Sequence, residues 1–200
     1  MRHPRVALPH PRYEGTMSIE EALLRRRSVR DFGAASMMLE DLGQLLWAAQ
    51  GLTERSGYRT APSAGALYPL ELYVLAGMVQ TCPPGLYRFL PQEQALERVA
   101  GGDVRAALSR AALEQAFVAE AAAVLVICAV YERTTAKYGQ RGVRYVHLEA
   151  GHAAQNVYLQ AVSLRLGTVA VGAFSDDHVK QVLGLPTQEE PLYLMPVGRF

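Results

Sequence analysis

The sequence predicts a single α+β domain, and three observations carry that prediction. Helix-like and strand-like segments are interspersed without the regular alternation of a doubly wound sheet. No internal repeat, low-complexity run or linker divides the chain. Its 200 residues, 50% hydrophobic and 20% charged, suffice for one sizeable core.

Residues 1–15, where Arg2, Arg5 and Arg12 are mixed with Pro4, Pro9 and Pro11, read as a flexible or extended arm, and residues 16–200 as the domain. Order is expected from Ser18, because Ser18-Ile-Glu-Glu21 has the form of a capping box that opens a helix running to about Arg27. A second helix, Leu39 to Gln50, places Leu42, Leu45, Leu46 and Ala49 on one face and stops at Gly51. Thr53 to Gly65 is polar and rich in Gly, Ser and Arg, which marks a loop, and Pro69 to Ala76 follows as a strand. Gly85 to Leu90 and Ala95 to Ala100 flank Pro91-Gln-Glu-Gln94 as a hairpin. Asp103 to Leu113 is amphipathic, and Ala123 to Tyr131 is the central apolar strand. The longest helix spans about Val143 to Leu166, with Leu148, His152, Gln155, Leu159 and Val162 sharing a face. Thr168 to Phe174 reads as a buried strand, Ser175 caps a helix from Asp176 to Leu183 that ends at Gly184, and Leu192 to Val197 is the last strand.

Composition excludes several classes. Twenty basic residues against 19 acidic ones leave a formal charge of +1, so no global field draws nucleic acid or anionic lipid. Any polyanion bound is small and held locally. Only Lys137 and Lys180 are lysines, so the positive charge is nearly all arginine, whose planar fork suits phosphate and carboxylate; genomic composition bias explains the same excess. Cys82 and Cys128 lack zinc or disulfide-framework spacing, and a reducing cytoplasm is the expected location. The most apolar stretch, Ala119 to Val130, contains Glu120 and falls short of the ~20 residues of a membrane span. No signal-peptide pattern opens the chain.

The signatures of other chemistries are missing. The sequence has no GxSxG elbow, no GxxxxGK[ST] loop and no GxGxxG after the first strand. His147 and His152 are five apart, which rotates them about 140° on a helix, whereas a metal pair needs three or four. His152 is expected instead as a core histidine, hydrogen-bonded to Glu149.

Three segments stand out together. Arg25-Arg-Arg-Ser-Val-Arg30 ends a helix, where a basic cluster also complements the dipole. Ala61-Pro-Ser-Ala-Gly-Ala-Leu-Tyr-Pro69 is a run of small residues bracketed by prolines, suited to a flat ligand or simply to a tight loop. Gly167-Thr-Val-Ala-Val-Gly-Ala-Phe174, with Gly198-Arg199 beyond it, offers a backbone N–H near Gly172 and a late arginine. In this order they resemble the nitroreductase family of FMN enzymes, and in detail its branch of SagB-type, azoline-oxidising dehydrogenases, over nearly all of residues 17–200. Tyr138-Gly-Gln-Arg-Gly-Val-Arg-Tyr145 followed by Leu148-Glu-Ala-Gly-His-Ala-Ala-Gln-Asn156 is similar to that branch's long central helix.

The resemblance implies a nitroreductase-like α+β fold, a mostly antiparallel sheet flanked by helices, in an obligate homodimer whose two FMN sites are each built by both subunits. By position Arg26 and Arg199 would hold the phosphate, with Ser28 a further partner and Arg27 lining the same region. Arg30 would lie near the flavin N1 and C2 carbonyl, where a fixed cation favours the reduced state. Pro62, Ser63 and Ala64, with Gly65 in the same loop, would approach the ring from the partner subunit. Gly172 would offer its N–H to N5, with Ala173 alongside. Two departures are present: Ala66 stands where many relatives carry asparagine, and Gly172 where many carry glutamate. The implied activity is ping-pong: NAD(P)H gives hydride to flavin N5, and a small planar nitroaromatic, quinone or flavin acceptor takes it up. One alternative is oxidation of an azoline to an azole in a modified peptide, for which Lys137 and Tyr138 match the branch's Lys-Tyr pair; an exposed lysine beside a packing tyrosine is the structural reading of the same two residues. A second alternative is a flavin-binding protein without turnover.

Overall fold

Seven strands form one sheet in which every pair of named strands is antiparallel. The computed structural model describes residues 4–200. In chain order the elements are β1 (Arg5–Ala7), α1 (Ile19–Arg25), α2 (Leu39–Gln50), a 3-10 turn at Ala64–Ala66, β2 (Leu70–Ala76), β3 (Gly85–Leu90) and β4 (Ala95–Gly101). Then come α3 (Arg105–Ala111), α4 (Phe117–Glu120), β5 (Ala123–Ala129), α5 (Glu132–Tyr138), α6 (Arg141–Ser163), β6 (Gly167–Thr168), α7 (Asp176–Leu183) and β7 (Glu190–Gly198). The sheet order is β1-β4-β3-β2-β5-β7-β6, so β2 and β5 sit at its middle.

Alternate side chains of each strand feed two cores. Leu72, Val74, Leu125, Ile127, Tyr87, Phe89 and Met195 join the buried faces of α2 and α6. Tyr73, Leu75, Val124, Val126 and Leu194 face α3 and α7. With both faces covered, β5 is buried along all of Ala123–Ala129, which is why it reads as an unbroken apolar run.

Several boundaries follow local chemistry. Ser18 caps α1, its Oγ accepting from the Glu21 N–H at 3.1 Å, but the Glu21 carboxylate turns to Arg25 at 2.7 Å instead of completing the box. The helix stops at Arg25, two residues before the expected end, because Arg26 leaves helical geometry. α2 has the expected bounds. At Gly51, which is extended, a Cβ would overlap the Trp47 side chain, so only glycine lets the chain turn off there. Gly184 closes α7 in the left-handed conformation, φ 59°.

Other expectations are corrected. Of the two forms expected for the arm, the described residues take the extended one and dock on the domain: β1 pairs with the sheet edge at Ala95–Glu97, Leu8 is buried, and the Arg12 backbone exchanges two hydrogen bonds with the Gln44 amide. Its first three residues lie outside the described ones. The apolar stretch from Ala119 is a strand only from Ala123, since Phe117–Glu120 is a helical turn. The segment expected as a strand over Thr168 to Phe174 pairs only at Gly167–Thr168 and through an isolated bridge from Val171 to Leu194. Ser175 sits at the start of α7 without a side-chain cap bond. The face of α6 turned to the core is Val146, Glu149, Ala150, Ala153, Val157 and Ala161, whereas Leu148, His152 and Gln155 are exposed. His152 is thus no core histidine and no partner of Glu149, which points the other way. Among the described residues no helix is long and apolar enough to cross a membrane.

Candidate functional site

Two clusters of the expected residues form, at different places along α6. The first gathers where the chain leaves α1. Ser28 bridges to Thr168 and the Val29 N–H donates to the Thr168 carbonyl at 3.0 Å, which lays residues 26–30 beside the segment that follows β6. Tyr158 of α6 ties the cluster together: its hydroxyl accepts from the Ala170 N–H at 2.7 Å, lies 3.0 Å from the Ser28 Oγ, and its ring carries the Arg26 guanidinium at 5.1 Å. Arg30 lies 5.9 Å from the Phe117 ring, and Gln115, two residues earlier, donates to the Ala173 carbonyl at 2.9 Å. Gly172 and Ala173 are exposed, and a Cβ at Gly172 would meet nothing closer than the Tyr193 ring at 3.6 Å. Arg27 folds back onto the Leu24 and Arg26 carbonyls, which makes it a cap for the end of α1.

Arg26, Arg27 and Arg30 have no carboxylate partner among the described residues: Arg27 is held by backbone carbonyls, and Arg26 and Arg30 rest against aromatic rings. Arg199 differs: it lies 3.6 Å from Asp41 in the wall of a cavity of about 670 Å³ between the arm, α1, α2 and the end of α6. Burial raises the Asp41 carboxyl above its ordinary value, against the pull of Arg199 and Arg12. The donor set and the open backbone at Gly172 fit an FMN phosphate and ring edge.

The second cluster is the loop before β2. Three of its residues have positive φ: Gly65 at 65°, Ala66 at 54° and Tyr68 at 47°. Two are not glycine, a strain of the kind that persists only where the surroundings impose it. They do so here: Ser63 Oγ accepts from the Tyr68 N–H at 2.9 Å, Arg133 donates to the Tyr68 carbonyl at 3.1 Å, and Arg59 stacks on the Tyr68 ring at 4.5 Å. Lys137 and Tyr138 lie over the same turn, since a Cβ at Gly65 would come within 2.8 Å of the Tyr138 hydroxyl and 3.0 Å of the Lys137 Nζ. Lys137 is exposed, while Tyr138 packs edge-on against Tyr145 at 5.2 Å. Pro62 and Gly65 face outward.

Beneath the loop lies Glu149, 3% exposed. Burial raises its carboxyl to about 7, although the neighbouring Ser63, Arg59 and Gln50 side chains pull the other way, and one of its oxygens and the Gln50 Nε2 have no hydrogen-bond partner. Glu149, Tyr158, Arg59 and Arg133 were not singled out as site residues in the sequence. A charged residue in frame with Val146, Ala150 and Ala153 is the signal that points to Glu149. His147, the other histidine of the motif, meets the Tyr131 hydroxyl at 2.5 Å, and no group of three metal-ligating side chains assembles among the described residues.

The chain belongs to a known class of oxidoreductase. The nitroreductase family model matches residues 23–199, and the chain belongs to that family. It is 49% identical over 183 residues to the Methanocaldococcus jannaschii nitroreductase-family protein MJ1384, covering 92% of this chain and 91% of that one. Its fold is similar to a chain of the Escherichia coli microcin synthetase McbBCD complex with truncated pro-MccB17 bound, with TM-score 0.75 and 25% identity over 98% of this chain and 78% of that one. It is similar also to the Vibrio harveyi NADPH:FMN oxidoreductase complexed with NAD+, with TM-score 0.66 and 25% identity over 90% and 68% of the two chains.

Proposed function

We propose that this nitroreductase-family oxidoreductase binds FMN at the Arg26–Arg30 cluster and passes reducing equivalents from NAD(P)H to a small aromatic or quinone-like acceptor. The observation that carries the reading is the set of guanidinium groups without a carboxylate partner, Arg26, Arg27 and Arg30, together with the exposed, unobstructed backbone at Gly172. When bound, FMN supplies hydride uptake and return. Arg26 holds the phosphate, with Ser28 oriented by Tyr158 as a neutral donor. Arg199, 3.6 Å from Asp41 in the wall of the cavity beside α1, would supply a further cation for the phosphate. Arg30 places a fixed cation at the ring edge that gains negative charge on reduction. The Gly172 N–H would be free to donate to the ring edge, and the missing side chain there would leave room for a planar acceptor.

Each site draws on two subunits. In one protomer Arg26 and Ser28 meet α6 at Tyr158, and the Ser63 loop meets it at Glu149, about 14 Å away along the axis. The outward face of α6 supports pairing. Leu148 is 53% exposed, and Gly151, with nothing within 4 Å of a Cβ, shares its stripe. An exposed glycine inside a helix costs about 1 kcal/mol against alanine, an expense that close approach of a second helix offsets. Ile19, Leu23 and Leu24 of the neighbouring α1 are also exposed. A two-fold that packs these faces together carries the loop of one copy toward the arginines of the other.

Lys137 and Tyr138 favour one other reading, oxidation of an azoline in a modified peptide, as does the likeness to the microcin synthetase complex. In that reading bound flavin would supply the two-electron oxidation of the ring, with oxygen as final acceptor giving hydrogen peroxide and the ring proton released to solvent, and Lys137 and Tyr138 would line the approach of the peptide. Flavin content of the purified dimer, with NAD(P)H turnover on a quinone and peroxide release on an azoline peptide, separates the two. Quinone turnover is expected to survive Lys137→Ala. Peroxide release from the peptide that is lost in Lys137→Ala would favour the second reading.

A further inference from the structure

The end of the sheet where β2 begins and β3 finishes carries more cations than its acids pair. A cavity of about 230 Å³ opens there between the end of α2, the start of α5 and the β3–β4 turn, lined by Arg59, Arg88 and Arg133 and by a single acid, Glu71. Its wall thus holds an excess of positive charge. Glu71 already serves two of the arginines, accepting from Arg88 at 2.8 Å through Oε2 and from Arg133 through Oε1. Arg59 has no carboxylate partner among the described residues. Its NH1 donates to the Gln50 Oε1 at 2.9 Å, while its Nε is shut off from solvent and donates to nothing. The Nε2 of Gln50, a residue only 1% exposed, is a second buried donor without an acceptor, and it too belongs to a side chain of the cavity wall.

A buried donor left unpaired costs stability, and burial also holds the Arg59 guanidinium below its ordinary value. Two such donors beside surplus positive charge suit one kind of guest, an acceptor that is itself negative. The protein's other nearby acids do not take that place: Glu189 accepts from the Tyr73 hydroxyl at 2.8 Å, and neither it nor Glu149 lines the cavity. The Arg88 and Arg133 side chains are 35% and 38% exposed, so the mouth is open to solvent, and Glu71 at 12% lies deeper. We infer that this cavity is a binding site for a small oxyanion, a phosphate or a carboxylate group, held by Arg59, Arg88 and Arg133 with the Gln50 amide as a neutral donor. The planar fork of arginine meets either anion with paired hydrogen bonds. The volume is below the roughly 300–1,000 Å³ of pockets for drug-sized ligands, which limits the guest to a compact anion or the anionic end of a larger molecule. The site shares no residue with the Arg26–Arg30 cluster and does not depend on flavin being bound there.

The test is isothermal titration calorimetry at neutral pH and low ionic strength, with inorganic phosphate in one arm and succinate in the other. Arg26→Ala is the background, because it weakens the other candidate phosphate site. In that background at least one of the two anions is expected to bind at one per subunit. Adding Arg88→Gln or Arg59→Gln removes a charged hydrogen bond and should weaken that binding roughly tenfold or more. Arg88→Gln decides the matter if Arg59→Gln, which also loses the stack on Tyr68, does not fold. Saturation by phosphate alone assigns the site to a phosphate group, by succinate alone to a carboxylate, and by both to their shared chemistry. Absence of saturable binding of either anion overturns the inference, as does binding that Arg88→Gln leaves unchanged.

Discussion

Replacing Glu149 by glutamine tests the packing of α6 against the loop through folding stability alone. The carboxyl is raised from its ordinary 4.5 to about 7 by burial, so the native state holds a proton that the unfolded chain has released. Between those two values the native state binds more protons than the unfolded one, and stability falls as pH rises. The contribution is fully present below about 4.5 and lost above about 7. A shift of that size corresponds to about 3 kcal/mol over the whole window, of which about 2.5 kcal/mol falls between pH 5 and pH 8. For a chain of this length that is about 5–10 °C in Tm. The assay is thermal unfolding of flavin-free wild type and Glu149→Gln at both pH values, taken as a difference of differences so that every other titrating group cancels. The wild type should lose that much more than the variant on going from pH 5 to pH 8. Equal losses would mean that Glu149 ionises as a solvent-exposed acid, and the burial argument would be refuted. The variant should also be the more stable of the two at pH 8, where the wild type must bury a charge.

Three further perturbations have expected outcomes. Arg26→Ala removes a charged phosphate contact and should weaken FMN binding roughly 10- to 100-fold without shifting flavin-free Tm, read by fluorescence titration. Leu148→Glu places a charge in the exposed apolar stripe of α6 and should shift sedimentation toward monomer, with flavin lost in parallel; an unchanged dimer that keeps its flavin would place the interface elsewhere. Gly65→Ala forces a side chain into a left-handed turn at about 1–2 kcal/mol and into the Lys137–Tyr138 pair, so both Tm and turnover should fall.

Much of the fold was legible from local chemistry. Leu42, Leu45, Leu46 and Ala49 repeat at helical spacing and Gly51 forbids continuation, so α2 could be bounded to the residue. The hairpin of β3 and β4 was bracketed by its turn, and Gly184 marked the end of α7. The errors have a common cause, because they concern segments whose partner is distant. Arg5–Ala7 has no apolar alternation of its own and becomes a strand only because β4 leaves an open edge at Ala95–Glu97. The stretch after Thr168 is apolar enough for a strand, yet β7 offers it pairing at only two places. On α6 two apolar stripes compete, and the one that includes Leu148 faces out of the protomer; periodicity says that a helix has a buried face, not whether its own chain or a second copy buries it. Within the site, the arginine cluster and the small-residue loop were visible as motifs. Tyr158, which joins Ser28 to Ala170, was not, since nothing in its sequence neighbourhood distinguishes a hinge tyrosine from a packing one.

FMN held by the arginine cluster is expected to accept electrons from a reduced nicotinamide. The most direct measurement is the visible absorbance of the FMN-loaded dimer during anaerobic titration with NADH and with NADPH. One flavin per subunit is expected to bleach fully with at least one of the two and to regain its colour on addition of a quinone. Flavin that stays yellow with both donors would contradict it.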